Sequence, residues 1–311
     1  MIRYSGKIHV ALFLAWSTLS ASVEAGLQEG YVAHRNGLYA RALKEFRSLA
    51  EAGNAEARFQ LGLMYDFGTG VVLNEHTAAE WYRKAALQGH AKAQSNLGLM
   101  YGRGRGVAKD VTEAMSWYRL AAAQNDPDGL YNVGWMYDNG LGAQQDHKEA
   151  ITWFRKAAEL GLAKAQFNVG WMYSNGQGVE RDAKAAIAWY ERAAEQGYPK
   201  AQSNLGWIYE KGLGVPPDLL LAVEWYRKAA EQGYALAQFN LGLVYAKNQE
   251  VPVDVIQAYT WFYLAATAQH ENAQIYLEEF EKVMTGEQIA TAQLQVRQFL
   301  NRTGGQRNNP H

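Results

Sequence analysis

The sequence predicts an all-α solenoid of about six helix–turn–helix repeats, and three observations carry that prediction. An aromatic pair returns every thirty-six residues, at Trp81-Tyr82, Trp117-Tyr118, Trp153-Phe154, Trp189-Tyr190, Trp225-Tyr226 and Trp261-Phe262. A period of roughly 20–50 residues marks stacked structural units. A glycine, Gly62, Gly98, Gly134, Gly170, Gly206 or Gly242, interrupts the same helical stretch of each unit. A Gly-x-Gly turn then closes that stretch at Gly68, Gly104, Gly140, Gly176 and Gly212.

Before the repeats, Arg3 and Lys7 precede an apolar run at 10–16, and Val23-Glu24-Ala25 fits a small-x-Ala cleavage site. Residues 1–25 are therefore expected to be a secretory signal peptide, the run being far short of the ~20 residues that span a bilayer. Residues 26–54 predict an N-terminal capping helix pair. Numbered from Ala55, Ala91, Pro127, Ala163, Pro199 and Ala235, the repeats occupy 55–90, 91–126, 127–162, 163–198, 199–234 and 235–270. The first helix of each takes positions 1–13, with Ala, Gln, Leu/Val, Gly, Met and Tyr of positions 3, 4, 7, 8, 10 and 11 on one face. Glycine at position 8 costs roughly 1 kcal/mol against alanine, so a close approach by the neighbouring helix is expected there. The turn glycines suit a left-handed helix stop. Asp110, Asp146, Asp182, Asp218 and Asp254, with Asn74 in the first repeat, predict N-caps of the second helices. In those helices Ala186, Trp189, Tyr190, Ala193 and Ala194 form the buried stripe, with Trp189 supplying core bulk. The sixth repeat has Asn248 and Glu250 in place of the turn glycines. Capping helices are expected over 271–301, with Thr285 and Gln288 in capping-box spacing. Residues 302–311 read as a disordered tail.

The string Ala-x-Ala-Gln-x-Asn-Leu-Gly-x-Met-Tyr, a glycine turn, Asp, then Ala-x-x-Trp-Tyr-x-Lys-Ala-Ala-x-Gln-Gly resembles the Sel1-like repeat, most closely at 91–124 and 199–233. The resemblance covers residues 55–270. It implies a tetratricopeptide-like, right-handed α-solenoid and a non-catalytic adaptor for protein–protein contacts, of the type exported from bacteria. It carries no catalytic residue onto this chain.

In such a superhelix the first helices line the concave face, and the positions left free by packing point into a groove. Position 9 supplies Trp135, Trp171 and Trp207; position 5 supplies Phe59, Tyr131, Phe167 and Phe239; position 6 supplies Asn96, Asn132, Asn168, Asn204 and Asn240. Asparagine amides both donate to and accept from a peptide backbone, and tryptophans dominate binding hot spots. The partner expected is thus a protein or extended peptide of the cell envelope, the protein itself being a periplasmic or secreted monomer. The same residues also fit a purely structural reading, with the rings tucked against neighbouring repeats and the amides bonded locally. Glu56, Asp66, Asp128 and Asp138 lie in the first half of the groove and Lys200, Lys211 and Lys247 in the second, with Lys92, Arg103 and Lys164 blurring the division. Such charges would either let an extended ligand be read in one direction or simply be solvated on an accessible face.

Composition excludes much else. With 30 basic and 31 acidic residues there is no excess to wrap nucleic acid. With no cysteine there is no disulfide, thiol nucleophile or cysteine-ligated metal. No later segment reads as transmembrane. Phosphate-loop, His-Glu-x-x-His and Gly-x-Ser-x-Gly motifs are missing, and Gly102-Arg-Gly-Arg-Gly106 lies in an inter-helix turn with no strand before it. No catalytic, metal or cofactor residue is expected. Two other functions compete. A tryptophan stripe could stack on sugars of a glycan or wall polymer. Cysteine-rich relatives are linked to β-lactamase activity, but this chain lacks their disulfides.

Overall fold

The computed structural model describes residues 22–247 and 253–307, with side chains to residue 303. The predicted signal segment before residue 22, the sixth-repeat turn at Asn248 and Glu250, and residues 308–311 lie outside the described residues. The chain divides into two compact units, Met1–Ala157 and Ala158–His311. The first contains α1 (22–35), α2 (Tyr39–Glu51), α3 (Ala55–Phe67), α4 (Glu75–Ala86), α5 (Ala91–Arg103), α6 (Val111–Ala122), α7 (Pro127–Asn139) and most of α8 (His147–Glu159). The second contains α9 (Ala163–Asn175), α10 (Ala183–Glu195), α11 (Pro199–Lys211), α12 (Leu219–Glu231), α13 (Ala235–Lys247), α14 (Val255–Thr267), α15 (Ala273–Glu281) and α16 (Gly286–Arg307). This is the all-helical repeat solenoid expected, each repeat a hairpin of two helices.

Local chemistry sets the hairpin. Each first helix occupies positions 1–13. Five end on a left-handed glycine, as at Gly212 with φ +67°. Asn74 and the recurring aspartates then cap the second helices; Asp182 Oδ1 accepts from the Ala185 amide at 3.0 Å. The amide of each capping residue donates back to the position-11 tyrosine carbonyl, Asp182 to Tyr173 at 3.0 Å and Asp218 to Tyr209 at 2.9 Å. That bond fixes the length of the turn, because it ties the cap to the helix just left.

In the first five repeats the second member of the aromatic pair, not the first, fills the core; in the sixth both Trp261, 7% exposed, and Phe262 are buried. Tyr82, Tyr190, Tyr226, Phe154 and Phe262 are at most 2% exposed, whereas Trp189 is half-buried with the Arg192 guanidinium 4.5 Å over its ring. The expectation that Trp189 supplies core bulk is thus corrected. The buried ring packs directly against the position-8 glycine of the first helix. A β-carbon built on Gly206 would stand 2.6 Å from the Tyr226 ring, and one on Gly134 2.8 Å from Phe154. The close approach predicted at these glycines is made mainly by a ring rather than by a helix backbone.

Buried glutamines stitch hairpin to hairpin. Gln202 donates to the Ala194 carbonyl of the preceding repeat at 3.0 Å and accepts from Gln232 of its own at 2.8 Å. Gln94 and Gln124 repeat the arrangement in the first unit. At the C-terminal end, Thr285 and Gln288 exchange the two bonds of a capping box, at 2.8 and 3.2 Å. Helix α16 continues to Arg307, past the predicted end near residue 301, with Thr303 Oγ1 donating to the Phe299 carbonyl at 2.9 Å. Residues 302–307 are therefore helical rather than tail.

Candidate functional site

The second unit holds the most site-like feature. Trp171 on α9 and Trp207 on α11 occupy the same position of successive first helices and are 40% and 48% exposed. Between them lies a cavity of about 580 Å³. Ser174 and Asn175 line it from the end of α9, Arg181 and Ala183 from the entry to α10, Tyr190 and Asn204 beside them, and Leu213 from the next turn. A second hollow of about 390 Å³ shares Trp207 and is lined by Glu210, Lys211, Tyr226, Asn240, Lys247 and Tyr276. Trp135, at the same register in the first unit, is 42% exposed. Its carbonyl accepts from Asn139, as that of Trp171 accepts from Asn175.

The tryptophans are the predicted groove residues that stand open; the others are more engaged. Phe59 and Phe239 are buried, at 7% and 9% exposure, which corrects their placement in the groove. The cause is the residue closing each repeat. His90 stacks on Phe59 at 4.6 Å between centroids, His270 on Phe239 at 4.2 Å, and Tyr198 tilts against Phe167 at 5.4 Å. Tyr131, half-buried, packs against Phe154. Where position 5 is Ser95 the partner is Asp126, 2.6 Å away. Positions 5 and 36 thus form one contact between the two ends of a repeat.

The asparagines answer the buried tyrosines. Asn96, Asn204 and Asn240 bond to the hydroxyls of Tyr82, Tyr190 and Tyr226 in the preceding repeat. Asn132 and Asn168 are half-buried at the same register. Burial drives the Tyr190 hydroxyl up to about 12, and raises those of Tyr82, Tyr118 and Tyr226 as well, so all four stay neutral donors at ordinary pH.

Three of the four acids of the charge division are engaged by neighbouring side chains, which removes them from a directional reading. Glu56 lies 2.9 Å from His90 Nε2 and accepts from Tyr31 and Gln60; the His90 bond is the largest influence holding its carboxyl down to about 2, against the opposing effect of burial. Asp138 pairs with His147 at 2.8 Å. Asp66 accepts from Tyr82 and from Arg105, whose Nε donates to Glu75 at 2.7 Å. Sequence reading missed Ser174, Arg181, Ala183 and Leu213 because they vary between repeats; their variation was itself the available signal. Among the described residues no three His, Asp or Glu gather as a metal site, and no helix is long and apolar enough to cross a membrane.

Comparison with known proteins supplies the family. The Sel1 repeat profile matches residues 55–90, 91–126, 127–162, 163–198, 199–234 and 235–270. No curated protein matches. Among solved structures, a Sel1 repeat protein from Oxalobacter formigenes is 39% identical, with a TM-score of 0.74, over 78% of this chain and 99% of its own. A protective antigen present in uropathogenic Escherichia coli strains, displaying an SLR fold, is 32% identical over 93% of this chain and 71% of its own, with a TM-score of 0.49. An immunity protein from Pseudomonas aeruginosa is 26% identical over 68% and 81%, with a TM-score of 0.46. The six profile matches share their boundaries with the glycine, glutamine and aromatic pattern that builds the hairpins, and the chain belongs to the Sel1-repeat family.

Proposed function

We propose that this protein is a non-catalytic interaction scaffold of the cell envelope, exported through residues 1–25, which holds an extended segment of a partner protein along the first-helix face of its repeats. Sel1-repeat proteins are typically scaffolds for protein contacts. One observation carries the placement: two exposed indoles on consecutive first helices flank one polar-lined cavity. A tryptophan held open to water forgoes the gain of burial, about 25 cal/mol per Å² of apolar surface, until a partner covers it. The polar groups between the rings would orient what binds.

A crosslinked capture from the native cell envelope tests this reading, using the mature chain beside a Trp171→Ala, Trp207→Ala double variant. A protein held by the first and lost by the second is the expected outcome. Equal capture overturns the site, and capture of wall polymer alone transfers the site to glycans. Amino-terminal sequencing of the exported protein checks the export step, with Gly26 expected first.

A further inference from the structure

The repeats provide their own comparison for the cavity between Trp171 and Trp207. The equivalent place in the first unit, between the first and second repeats, is crossed by a side chain. Arg105 enters from the turn, donates through Nε to Glu75 Oε1 at 2.7 Å, and pairs through Nη2 with Asp66. Tyr82 donates to the same Asp66 at 3.2 Å. Asp66, Glu75 and Arg105 hold repeat positions 12, 21 and 15. In the fourth and fifth repeats those positions are Ser174, Ala183 and Leu213, and all three line the cavity. Both carboxylates and the arginine strap that spans them are missing together, and the smaller or apolar residues in their places line the cavity.

The chemistry of the space has changed sign. No carboxylate lines it; its one charged residue is Arg181, which makes no ion pair with a described carboxylate. Glu180 and Asp182 line an outer hollow that Arg181 also borders, and Asp182 is committed to capping α10. The adjoining hollow adds Lys211 and Lys247 with one acid, Glu210, already accepting from Tyr226 and Lys211. The two hollows thus carry three cations and one paired carboxylate. They sit on a unit whose sequence, residues 158–311, has 13 basic and 16 acidic residues. A local excess opposite in sign to its surroundings focuses attraction on anions.

Resting on the groove reading above, we propose that the second unit selects an acidic extended peptide. An apolar side chain sits between Trp171 and Trp207, and neighbouring carboxylates meet Arg181 on one side of Trp207 and Lys211 and Lys247 on the other. Ser174 and Asn204, both partnered with the buried Tyr190 hydroxyl, line the space with uncharged groups whose remaining hydrogen-bonding capacity faces the ligand.

Fluorescence anisotropy tests the proposal on the full mature chain with three labelled probes: short peptides alternating leucine with glutamate, with serine or with lysine. The glutamate peptide is expected to bind roughly tenfold or more tightly than the serine peptide, with affinity falling as salt rises. Arg181→Glu should remove that preference. A second variant, Ser174→Asp with Ala183→Glu and Leu213→Arg, rebuilds the first unit's strap and should abolish binding while circular dichroism stays unchanged. Equal binding of all three probes, lost in the strapped variant, overturns the acidic preference and leaves the groove standing. Glutamate-peptide binding that survives the strap moves the site elsewhere on the chain. No binding of any probe overturns the groove reading together with this one.

Discussion

Tyr190 is 2% exposed with its ring against Gly170, whereas Trp189 beside it keeps part of its indole in water under Arg192. Tyr190→Ala should therefore cost about 3–5 kcal/mol in thermal or denaturant unfolding, as emptied aromatic core positions do. Trp189→Ala should cost about 1–2 kcal/mol, from lost partial burial and one cation–π contact. Equal losses would contradict the assignment of core and rim. Two glycines separate in the same way. A β-carbon on Gly106 would lie 2.2 Å from the Glu75 carbonyl oxygen, while one on Gly89 meets nothing within 4 Å; both have positive φ. Gly89→Ala should cost only the left-handed strain, about 1–2 kcal/mol, and Gly106→Ala clearly more. Glu56 makes stability depend on acid. Its carboxyl is held to about 2 in the fold against a usual 4.5, chiefly by His90. Its contribution is complete above about pH 4.5 and is lost as pH falls toward about 2. Glu56→Gln should flatten the stability profile within that window, and an unchanged profile would remove Glu56 from the account.

At the scale of helices, the glutamine stitch shows how one position couples neighbouring hairpins. Each link needs a glutamine at position 4 and another at position 34. The sixth repeat keeps Gln238, which donates to Ala230 at 3.0 Å, but has Ala268 at the second place. Gln238 Oε1 is accordingly buried with no partner. Ala268 has φ −85° and ψ 15°, close to the −83° and 0° of Gln232. Ala268→Gln should therefore satisfy the orphaned oxygen and raise stability by about 0.5–1.5 kcal/mol, while Gln232→Ala should cost about 1–3 kcal/mol. Both read out in denaturant midpoints. The glutamines were legible in the sequence as a recurring face, but not as hydrogen-bonding residues. Their acceptor is a carbonyl of the preceding repeat, and only the packed pair of hairpins brings it within reach.

Within each unit the helices pack mainly on their neighbours in sequence, so stability is local as in other stacked repeats. Tyr82→Ala should raise amide hydrogen exchange through α3 to α6 and leave α11 to α14 nearly unchanged. A uniform rise would mean global cooperativity instead. The sequence alone determined the repeat length, the first-helix boundaries within the repeats, the turn type and the caps, because these depend on residues close together in the chain. Gly212 stops a helix and Asp218 starts the next through local bonds. In the first five repeats the tertiary structure decided which aromatic of the pair enters the core, because both fit a helical stripe and only the facing glycine selects Tyr190 over Trp189. It decided that Phe59 and Phe239 are covered by His90 and His270, residues at the far end of each repeat. It also decided where the surface is open: Arg105 fills one inter-repeat space and Leu213 leaves its counterpart empty, an outcome set by three residues that meet only when the hairpins stack.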